Sequence, residues 1–372
     1  MTVKITKPQI NVREELNDLK KPTGVAGEAM LRAETPQEQF NLINAGRKNL
    51  LINGDFQVAQ RATTSSSSTS NGYLTADRWH INNSGGTSAI SLQDFTVGQT
   101  DVPEFPQRYF RFSSSIGNNN QGVHQKVEDV RVLGGKTVTL SFWAKGTNPT
   151  AGNFVSSWIQ HFGSGGSTAV ETLMDSQIVL TSNWKKYIIT TTVPSISGKT
   201  VGSSSYTWVE VLRQSASDTG TGAWTADIAN VQLEVGKLAT PFEHRSYGEE
   251  LALCQRYFSI PINNVDEDGN SNTHASIGVG RGGGGGAVVV WALICPVPMR
   301  DRPSISTSGT YYITDGTSRT SATPTTVSIS NFTPNSTNML ANFNFSSAVC
   351  DDDRVNMVGA HTPVKITLDA EL

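Results

Sequence analysis

Residues that catalyse reactions or bind metals are few in this chain of 372 residues, and they are widely spaced. The six histidines stand at positions 80, 124, 161, 244, 274 and 361 with no HExxH pair, and the three cysteines include no Cys-x-x-Cys pair. Zinc ligands usually occur at such short spacings, so a zinc site would require the fold to bring distant histidines together. No serine has glycine two positions before and two positions after it, so the nucleophile elbow of hydrolases is absent.

Glycine-rich and acidic clusters indicate turns more strongly than binding sites. The stretch 278–286 is not followed by Lys-Ser or Lys-Thr, as a phosphate-binding loop would be, and it leads into the apolar run 287–291. The acidic clusters 266–268 and 351–353 could hold a cation, but the first lacks the glycine and the distal glutamate of an EF-hand. We interpret both as solvated hairpin tips. Paired acids for glycoside hydrolysis stay an open alternative, because their separation depends on the fold.

The tryptophans are the best candidates for a binding role, because a flat apolar ring can stack on the face of a sugar. Trp143 and Trp158 lie in alternating segments and share their strand faces with serine, threonine, glutamine or lysine. Gln160 would add an amide on the same face as Trp158, two residues along the strand. We therefore predict that Trp143, Trp158 and Gln160 face a ligand. The alternative is a second packing face or a contact between protomers.

The elements that must position these residues are predicted to be β-strands. Charged residues make up only 16% of the chain, against roughly a quarter in typical proteins, and much of the difference is glycine, serine, threonine and asparagine. Residues of these types favour turns and exposed strands over helices.

Charge and hydropathy exclude several classes of protein. The net charge is -3 and no segment is rich in lysine or arginine, so we expect no nucleic-acid binding through a basic face. The longest apolar run, 287–295, is far shorter than the roughly 20 residues of a membrane-spanning helix. No apolar signal segment is found in residues 1–7, and the scattered cysteines fit folding in a reducing cytosol.

Residues 1–48 differ from the rest of the chain and form a predicted N-terminal helical segment. Thr35 and Glu38 have the spacing of a capping box at the start of a short helix. A segment of this length cannot cover its own apolar residues, so we expect it to need a partner and predict a homotrimer that depends on it. These apolar residues are Leu16, Leu19, Phe40 and Ile43.

The rest of the chain is predicted to form two β domains joined by a helix. Residues 49–245 alternate apolar and polar side chains between turn clusters, which indicates about eight strands in a jelly-roll β-sandwich. Ser246 and Glu249 repeat the capping-box spacing at the start of a linking helix, 246–258. Residues 259–372 return to alternation and predict a second, smaller β-sandwich, so the predicted fold class is mainly β.

Short motifs between residues 49 and 244 resemble, in order, the landmarks of jelly-roll carbohydrate-binding modules. These motifs are NLLINGDF (49–56), DRW (77–79), VHQK (123–126), TVTLSFWAKG (137–146), NW (183–184) and DIANVQLE (227–234).

Taken over most of the chain, the motifs are similar to those of virion structural proteins of tailed bacteriophages, above all tail fibres. They are TPQEQFNL (35–42), AGRKNL (45–50), QLEVG (232–236), PFE (241–243), EELALCQRYF (249–258) and PMR (298–300) ahead of a proline at 303. Each motif is short, and it is their shared order that makes the resemblance specific.

This resemblance implies a homotrimeric virion protein of the tail or capsid surface, assembled in the host cytoplasm. Residues 1–48 would attach it to other virion proteins, and its β domains would recognise a host cell-surface glycan without catalysis, nucleic-acid binding or membrane insertion. One alternative is a head fibre, capsid decoration or tail adaptor protein with a purely structural role. The other is a glycan depolymerase, although no repeat of about 20 to 30 residues, typical of β-helical tail enzymes, is found.

The resemblance also raises the question of a structural calcium ion. Carbohydrate-binding modules of this type often bind one between acidic residues of the first and last strands, which would be Asp55 and Asp227 here. The chain departs from that pattern at Gln57, where those modules commonly carry glutamate. No catalytic residue and no other cofactor is predicted.

Overall fold

A computed structural model describes residues 47–83, 87–115, 121–148, 153–214, 222–264, 276–314, 319–333, 336–349, 355–360 and 364–372, with residues 30, 32 and 39. The predicted N-terminal helices and the acidic clusters 266–268 and 351–353 lie outside the described residues.

The first β unit contains twelve described strands. They are β1 (Thr64–Ser68), β2 (Gly72–Tyr73), β3 (His80–Asn83), β4 (Ser88–Asp94), β5 (Arg108–Ser114), β6 (Gln121–Glu128), β7 (Thr137–Thr147), β8 (Phe154–His161), β9 (Val170–Ile178), β10 (Lys185–Thr192), β11 (Tyr206–Gln214) and β12 (Trp224–Val235).

These strands form two antiparallel sheets of six. Sheet A has the order β1-β4-β5-β12-β7-β10, and sheet B has the order β2-β3-β6-β11-β8-β9. From β5 to β12 the chain crosses to the other sheet at every step except from β8 to β9, giving β5-β12-β7-β10 opposite β6-β11-β8-β9, which is the strand order of a jelly roll. The predicted jelly-roll sandwich is confirmed. It has four strands more than expected, because β1 to β4 extend one edge of each sheet.

The core of the jelly roll lies between the two sheets. Leu140 and Phe142 point inward from β7, while Phe154 and Trp158 point inward from β8, and all four are fully buried. Burying a side chain of this size contributes roughly 1.5 to 3 kcal/mol. Since neighbours along a strand point to opposite faces, the core residues determine which residues lie on the outer faces.

A single described α-helix, α1 (Tyr247–Gln255), follows the jelly roll and confirms the predicted linking helix. Ser246 and Glu249 form the predicted capping box. Glu250, in the first turn, is buried, and it accepts hydrogen bonds from the backbone N–H of Asn53 at 2.5 Å and from Arg245 at 3.2 Å. The helix is therefore attached to the start of the jelly roll by the buried carboxylate of Glu250, which bonds the backbone of Asn53.

The second β unit has ten described strands in two sheets, which confirms a second, smaller β-sandwich. A three-stranded sheet has the order β13-β22-β16 and a seven-stranded sheet has the order β18-β17-β21-β14-β15-β20-β19. The strands are β13 (Phe258–Asn264), β14 (Ser276–Gly283), β15 (Val288–Ile294), β16 (Ser304–Ser308), β17 (Tyr311–Thr314), β18 (Arg319–Ala322), β19 (Thr326–Phe332), β20 (Asn338–Asn344), β21 (Val355–Ala360) and β22 (Val364–Asp369).

Arg78 joins the jelly roll to the residues that follow β22. Its side chain is 1% exposed and forms an ion pair with Glu371, which is itself 5% exposed. The guanidinium also donates to the backbone oxygen of Lys126 at 2.7 Å and lies 3.5 Å from the ring centroid of Tyr257. Buried Arg78 thus helps to hold the end of the second unit against the jelly roll, together with Arg61, which pairs with Asp369 at 3.1 Å.

Replacement of Gly278 tests the packing of the second unit. A Cβ at this position of β14 would overlap the indole ring of Trp291, which is 3% exposed and has no room to move aside. We expect Gly278→Ala to destabilise the second unit by about 1 to 3 kcal/mol, as overpacking a core does. The measurement is thermal unfolding. Gly283→Ala is the matched control, since a Cβ there meets no atom within 4 Å, and an equal loss in both variants would contradict this packing.

Candidate functional site

The outer face of sheet A collects polar and aromatic side chains from three neighbouring strands. Phe110 and Phe112 of β5 are buried in the core, so Tyr109 and Arg111 point outward. By the same alternation, Asp227 of β12 and Trp143 and Lys145 of β7 lie on the outer face. Of the three residues predicted to face a ligand, only Trp143 is half-exposed, and it lies on this face.

One row of side chains, which we call the charged row, crosses sheet A. It consists of Arg111, Asp227, Lys145 and Trp184. Arg111 is paired in register with Asp227, and Asp227 with Lys145. Trp184 directly precedes Lys185, which is paired with Ala144, so it lies beside Lys145. Arg111 donates from Nε and Nη2 to the two carboxylate oxygens of Asp227 at 2.7 and 2.8 Å, and these hydrogen bonds raise the pKa of Arg111.

A second row, the aromatic row, runs parallel to the first and contains Tyr109, Ala229, Trp143 and Lys186. Ala229 is paired with Trp143, and Trp143 with Lys186. Because Ala229 carries only a methyl group, side chains from both sides can approach one another over β12. Trp143 and Tyr109 are half-buried, so part of each ring remains accessible.

Aromatic rings from the strands on either side of β12 meet at one end of this face. Phe95, just after β4, lies 4.9 Å from Tyr109 and 5.3 Å from Trp184 between ring centroids. Tyr109 and Trp184 are 5.4 Å apart and nearly perpendicular, at 81°. The Nζ atom of Lys145 lies 5.0 Å from the centroid of Trp184. A cation and half-exposed rings thus occupy the same patch.

A groove lined mainly by serine and threonine residues continues from the other side of the charged row. It has a volume of about 390 Å³, and Ser113, Thr147 and Thr225 contribute to its wall. Ser113 and Thr225 share a hydrogen bond at 3.1 Å, and they lie two residues along their strands from Arg111 and Asp227. The face therefore offers rings, charges and hydroxyl groups in successive rows.

The predictions that Trp158 and Gln160 face a ligand are wrong. Trp158 is 0% exposed and Gln160 1% exposed. The two residues do lie on the same face of one strand, as predicted. However, this is the inner face of sheet B, because Phe154 on the same side belongs to the core. The polar residues on this face are satisfied internally: Ser156 donates to the carbonyl of Val211 at 2.5 Å, and Gln160 donates to that of Pro194 at 2.9 Å.

Trp143 lies on an outer face as predicted, and its role in binding stays a prediction. Sequence patterns did not single out Tyr109, Arg111 or Trp184 as binding residues. Alternation around Phe110 and Phe112 could have placed the first two on an outer face. Trp184 lies outside any strand, and only the pairing of β10 with β7 brings it beside Lys145.

The proposed calcium ligands do not fit a calcium site. Both carboxylate oxygens of Asp227 already accept hydrogen bonds from Arg111, which supplies the positive charge there. Asp55 has one buried oxygen without a hydrogen-bond partner, and burial raises the pKa of this carboxyl group. Calcium takes six to eight oxygen ligands, whereas among the described residues no group of three or more His, Cys, Asp and Glu could hold a metal.

The outer face of sheet B carries a row of rings that we call the histidine ladder. It contains Tyr73, His80, His124, Trp208 and His161, from strands β2, β3, β6, β11 and β8. Successive ring centroids along this row are 5.0, 4.4, 3.7 and 5.7 Å apart. Three histidines that are distant in sequence thus converge, because their strands are neighbours in the sheet.

The ladder is electrostatically unusual because its histidines have no acidic partner among the described residues. His124 is 0% exposed, and neither of its ring nitrogens has a hydrogen-bond partner in the described part of the chain. Burial, followed by the neighbouring charge of Lys126, lowers the pKa of His80 to about 4. Burial also lowers the pKa values of His124 and His161. The imidazoles are neutral at pH 7. The rings of His80 and His124 lie 4.4 Å apart between centroids, with their planes tilted by 32°.

Within the described part of the chain, no helix is long and apolar enough to cross a membrane.

No known protein family and no curated protein matches the sequence. Among solved structures, a CBM22 xylan-binding domain from Paenibacillus barcinonensis matches with 18% identity and a TM-score of 0.30, covering 42% of this chain and 91% of that domain. The C-terminal family 22 carbohydrate-binding module from Clostridium thermocellum matches with 12% identity and a TM-score of 0.29, covering 44% of this chain and 89% of that module. The enzymatically active domain of tailspike protein 4 of bacteriophage CBA120 matches with 14% identity and a TM-score of 0.28, covering 50% of this chain and 21% of the tailspike chain. At these TM-scores the likenesses bear on neither the ligand nor the activity of this chain.

Proposed function

We propose that this chain binds glycans through the outer face of sheet A and acts, without catalysis, as a receptor-binding virion protein of the phage tail-fibre type. The observation that carries the glycan-binding part is the joint presence of half-exposed rings, a fixed Arg111–Asp227 pair and a groove lined by serine and threonine residues on one face. Rings bind the apolar faces of sugars, while fixed polar groups bond their hydroxyl groups.

The assignment to a phage virion is supported by the ordered sequence motifs between residues 35 and 303. The location of this chain on the virion surface tests that assignment. Immunogold labelling of virions with antibodies against this chain should mark the tail tip or fibres. Labelling of the capsid instead would support a head-fibre or decoration role and overturn the tail-fibre proposal.

Substitution of Trp143 tests the binding face. Stacking of one ring contributes about 1 kcal/mol beyond its buried area, so Trp143→Ala should weaken glycan binding about fivefold. Its thermal stability should remain close to that of the unaltered protein, since the ring lies on the outer face. Binding is measured as retention of the protein on an array of bacterial surface polysaccharides.

Trp158→Ala is the matched control, because it removes the same ring from the core of the same domain. It should destabilise the jelly roll by about 3 to 5 kcal/mol. If the double variant Trp143→Ala, Trp184→Ala folds normally and retains full glycan binding, the outer face of sheet A is not the binding site. Release of reducing ends from any retained polysaccharide would contradict the proposal that no catalysis occurs.

A further inference from the structure

The charged and aromatic rows carry more positive than negative charge. Arg111, Lys145 and Lys186 lie on these rows, and Asp227 is the only carboxylate on them. The whole chain, by contrast, has a net charge of -3. Positive charge is therefore in excess on these two rows, although the chain as a whole is negatively charged.

Part of this positive charge is not neutralised within the described structure. Asp227 is fully occupied by Arg111, since each of its oxygens accepts one guanidinium hydrogen bond. Lys145, on the other side of Asp227, makes no ion pair with the described residues, and its ammonium group lies at the face of Trp184. Arg111 is 37% exposed, so one side of its guanidinium also remains accessible.

The positions of these cations relative to the rings favour a charged sugar over a free anion. Lys145 and Arg111 lie on strands separated by β12, so their backbones are about 10 Å apart. Half-exposed rings of Trp143, Trp184 and Tyr109 surround them. A ligand that satisfies both features has ring faces for stacking and carboxylates on its edge.

We propose that the outer face of sheet A selects acidic glycans, those containing uronate or sialate residues, and that Lys145 is the residue that binds their carboxylate. This inference rests on the proposed glycan-binding function and specifies the class of sugar. Lys145 would form a charge-assisted hydrogen bond with the carboxylate while a neighbouring sugar ring stacks on an aromatic side chain.

The experiment uses the full chain and an array of neutral, uronate-containing and sialate-containing polysaccharides. Each retained polysaccharide is then tested again after chemical reduction of its carboxylates to alcohols, which removes the charge and keeps the backbone. We expect retained polysaccharides to be acidic and their affinity to fall about tenfold or more on reduction, the effect of one charge-assisted hydrogen bond.

Three variants identify the residue responsible. Lys145→Met should lower affinity for the acidic glycan about tenfold and bind the intact and reduced forms equally, whereas Lys145→Arg should keep most of the preference. Trp143→Ala should weaken binding of the intact and the reduced glycan to the same extent. Lys199→Met is the matched control, because it removes one positive charge from an exposed site near Phe162, and it should bind like the unaltered protein.

The outcomes separate this inference from the proposed function. If the retained glycans are neutral, or if reduction leaves affinity unchanged, the acidic preference is wrong while glycan binding stands. If Lys199→Met weakens binding as much as Lys145→Met, the attraction is unspecific and Lys145 has no special role. If no polysaccharide is retained, the inference and the proposed function both fail.

Discussion

Arg78→Met should destabilise the docking of the second β unit on the jelly roll by about 3 to 5 kcal/mol, the typical cost of breaking a buried ion pair by removing one partner. The variant leaves the carboxylate of Glu371 buried at 5% exposure with one weaker partner, Arg61, at 3.5 Å. It also removes the hydrogen bond to the Lys126 carbonyl and the stacking on Tyr257. Methionine fills much of the volume of the arginine stem, so the loss measures the charge and its hydrogen bonds rather than a cavity.

Denaturant unfolding of the full chain, followed by tryptophan fluorescence, is the measurement for Arg78→Met. Arg108→Met is the matched control, because Arg108 pairs with Asp94 on the surface, where their side chains are 35% and 78% exposed. Pairs of that kind contribute about 0 to 1 kcal/mol. Adding Glu371→Gln to Arg78→Met should recover part of the loss, since it removes the stranded charge. A loss below about 1 kcal/mol for Arg78→Met alone would show that the second unit does not depend on this contact.

The histidine ladder should make the protein markedly less stable in acid. The unfolded chain protonates its histidines near pH 6.5, while His80 in the folded protein does so only near pH 4. Between these values the unfolded state binds more protons, so the free energy of unfolding falls as the pH falls from 6.5 to 4. The contribution is fully present above pH 6.5, and for His80 alone it amounts to about 3 kcal/mol.

The surroundings of the ladder explain why protonation is costly there. Lys126, whose pKa burial lowers to about 8, lies 5.6 Å from the ring centroid of Trp208. Arg78 lies next to it, and the nearby carboxylate of Glu371 is already paired with Arg78. New positive charge on His80 or His124 would therefore meet other cations without a free carboxylate among the described residues.

The double variant His80→Phe, His124→Phe isolates this effect. Phenyl rings keep the aromatic packing and remove the titrating groups, so the loss of stability between pH 7 and pH 4.5 should shrink by more than the roughly 2 to 3 kcal/mol that His80 alone accounts for in this range. His244→Phe, at an exposed position, should leave that loss unchanged. Thermal or urea unfolding at several pH values is the measurement. Comparing variants cancels the opposite effect of Asp77, whose pKa burial raises to about 6. An unchanged pH profile in the double variant would rule out the ladder as the acid-sensitive element.

The alternation of residue types was sufficient to predict the strands but not their orientation. In the segment that forms β8, the prediction that Trp158 and Gln160 share one strand face is correct. The serine and glutamine on that face suggested contact with solvent or a ligand. The structure buries them instead, because backbone carbonyls of Val211 and Pro194 accept their hydrogen bonds. Satisfied polar residues inside a sandwich look the same in sequence as exposed ones.

The sequence by itself determined the fold class, the strand-rich composition, the capped helix α1 and the lack of catalytic motifs, because each depends on local residue types and short spacings. Only the tertiary structure decided which side chains meet. Arg111 and Asp227 are 116 residues apart in the chain. The fold likewise brings Tyr109 beside Trp184 and His80 beside His124, although the members of each pair are far apart in sequence. Strand order and register make these contacts, and both arise from the packing of two sheets around a shared core, which no local pattern encodes.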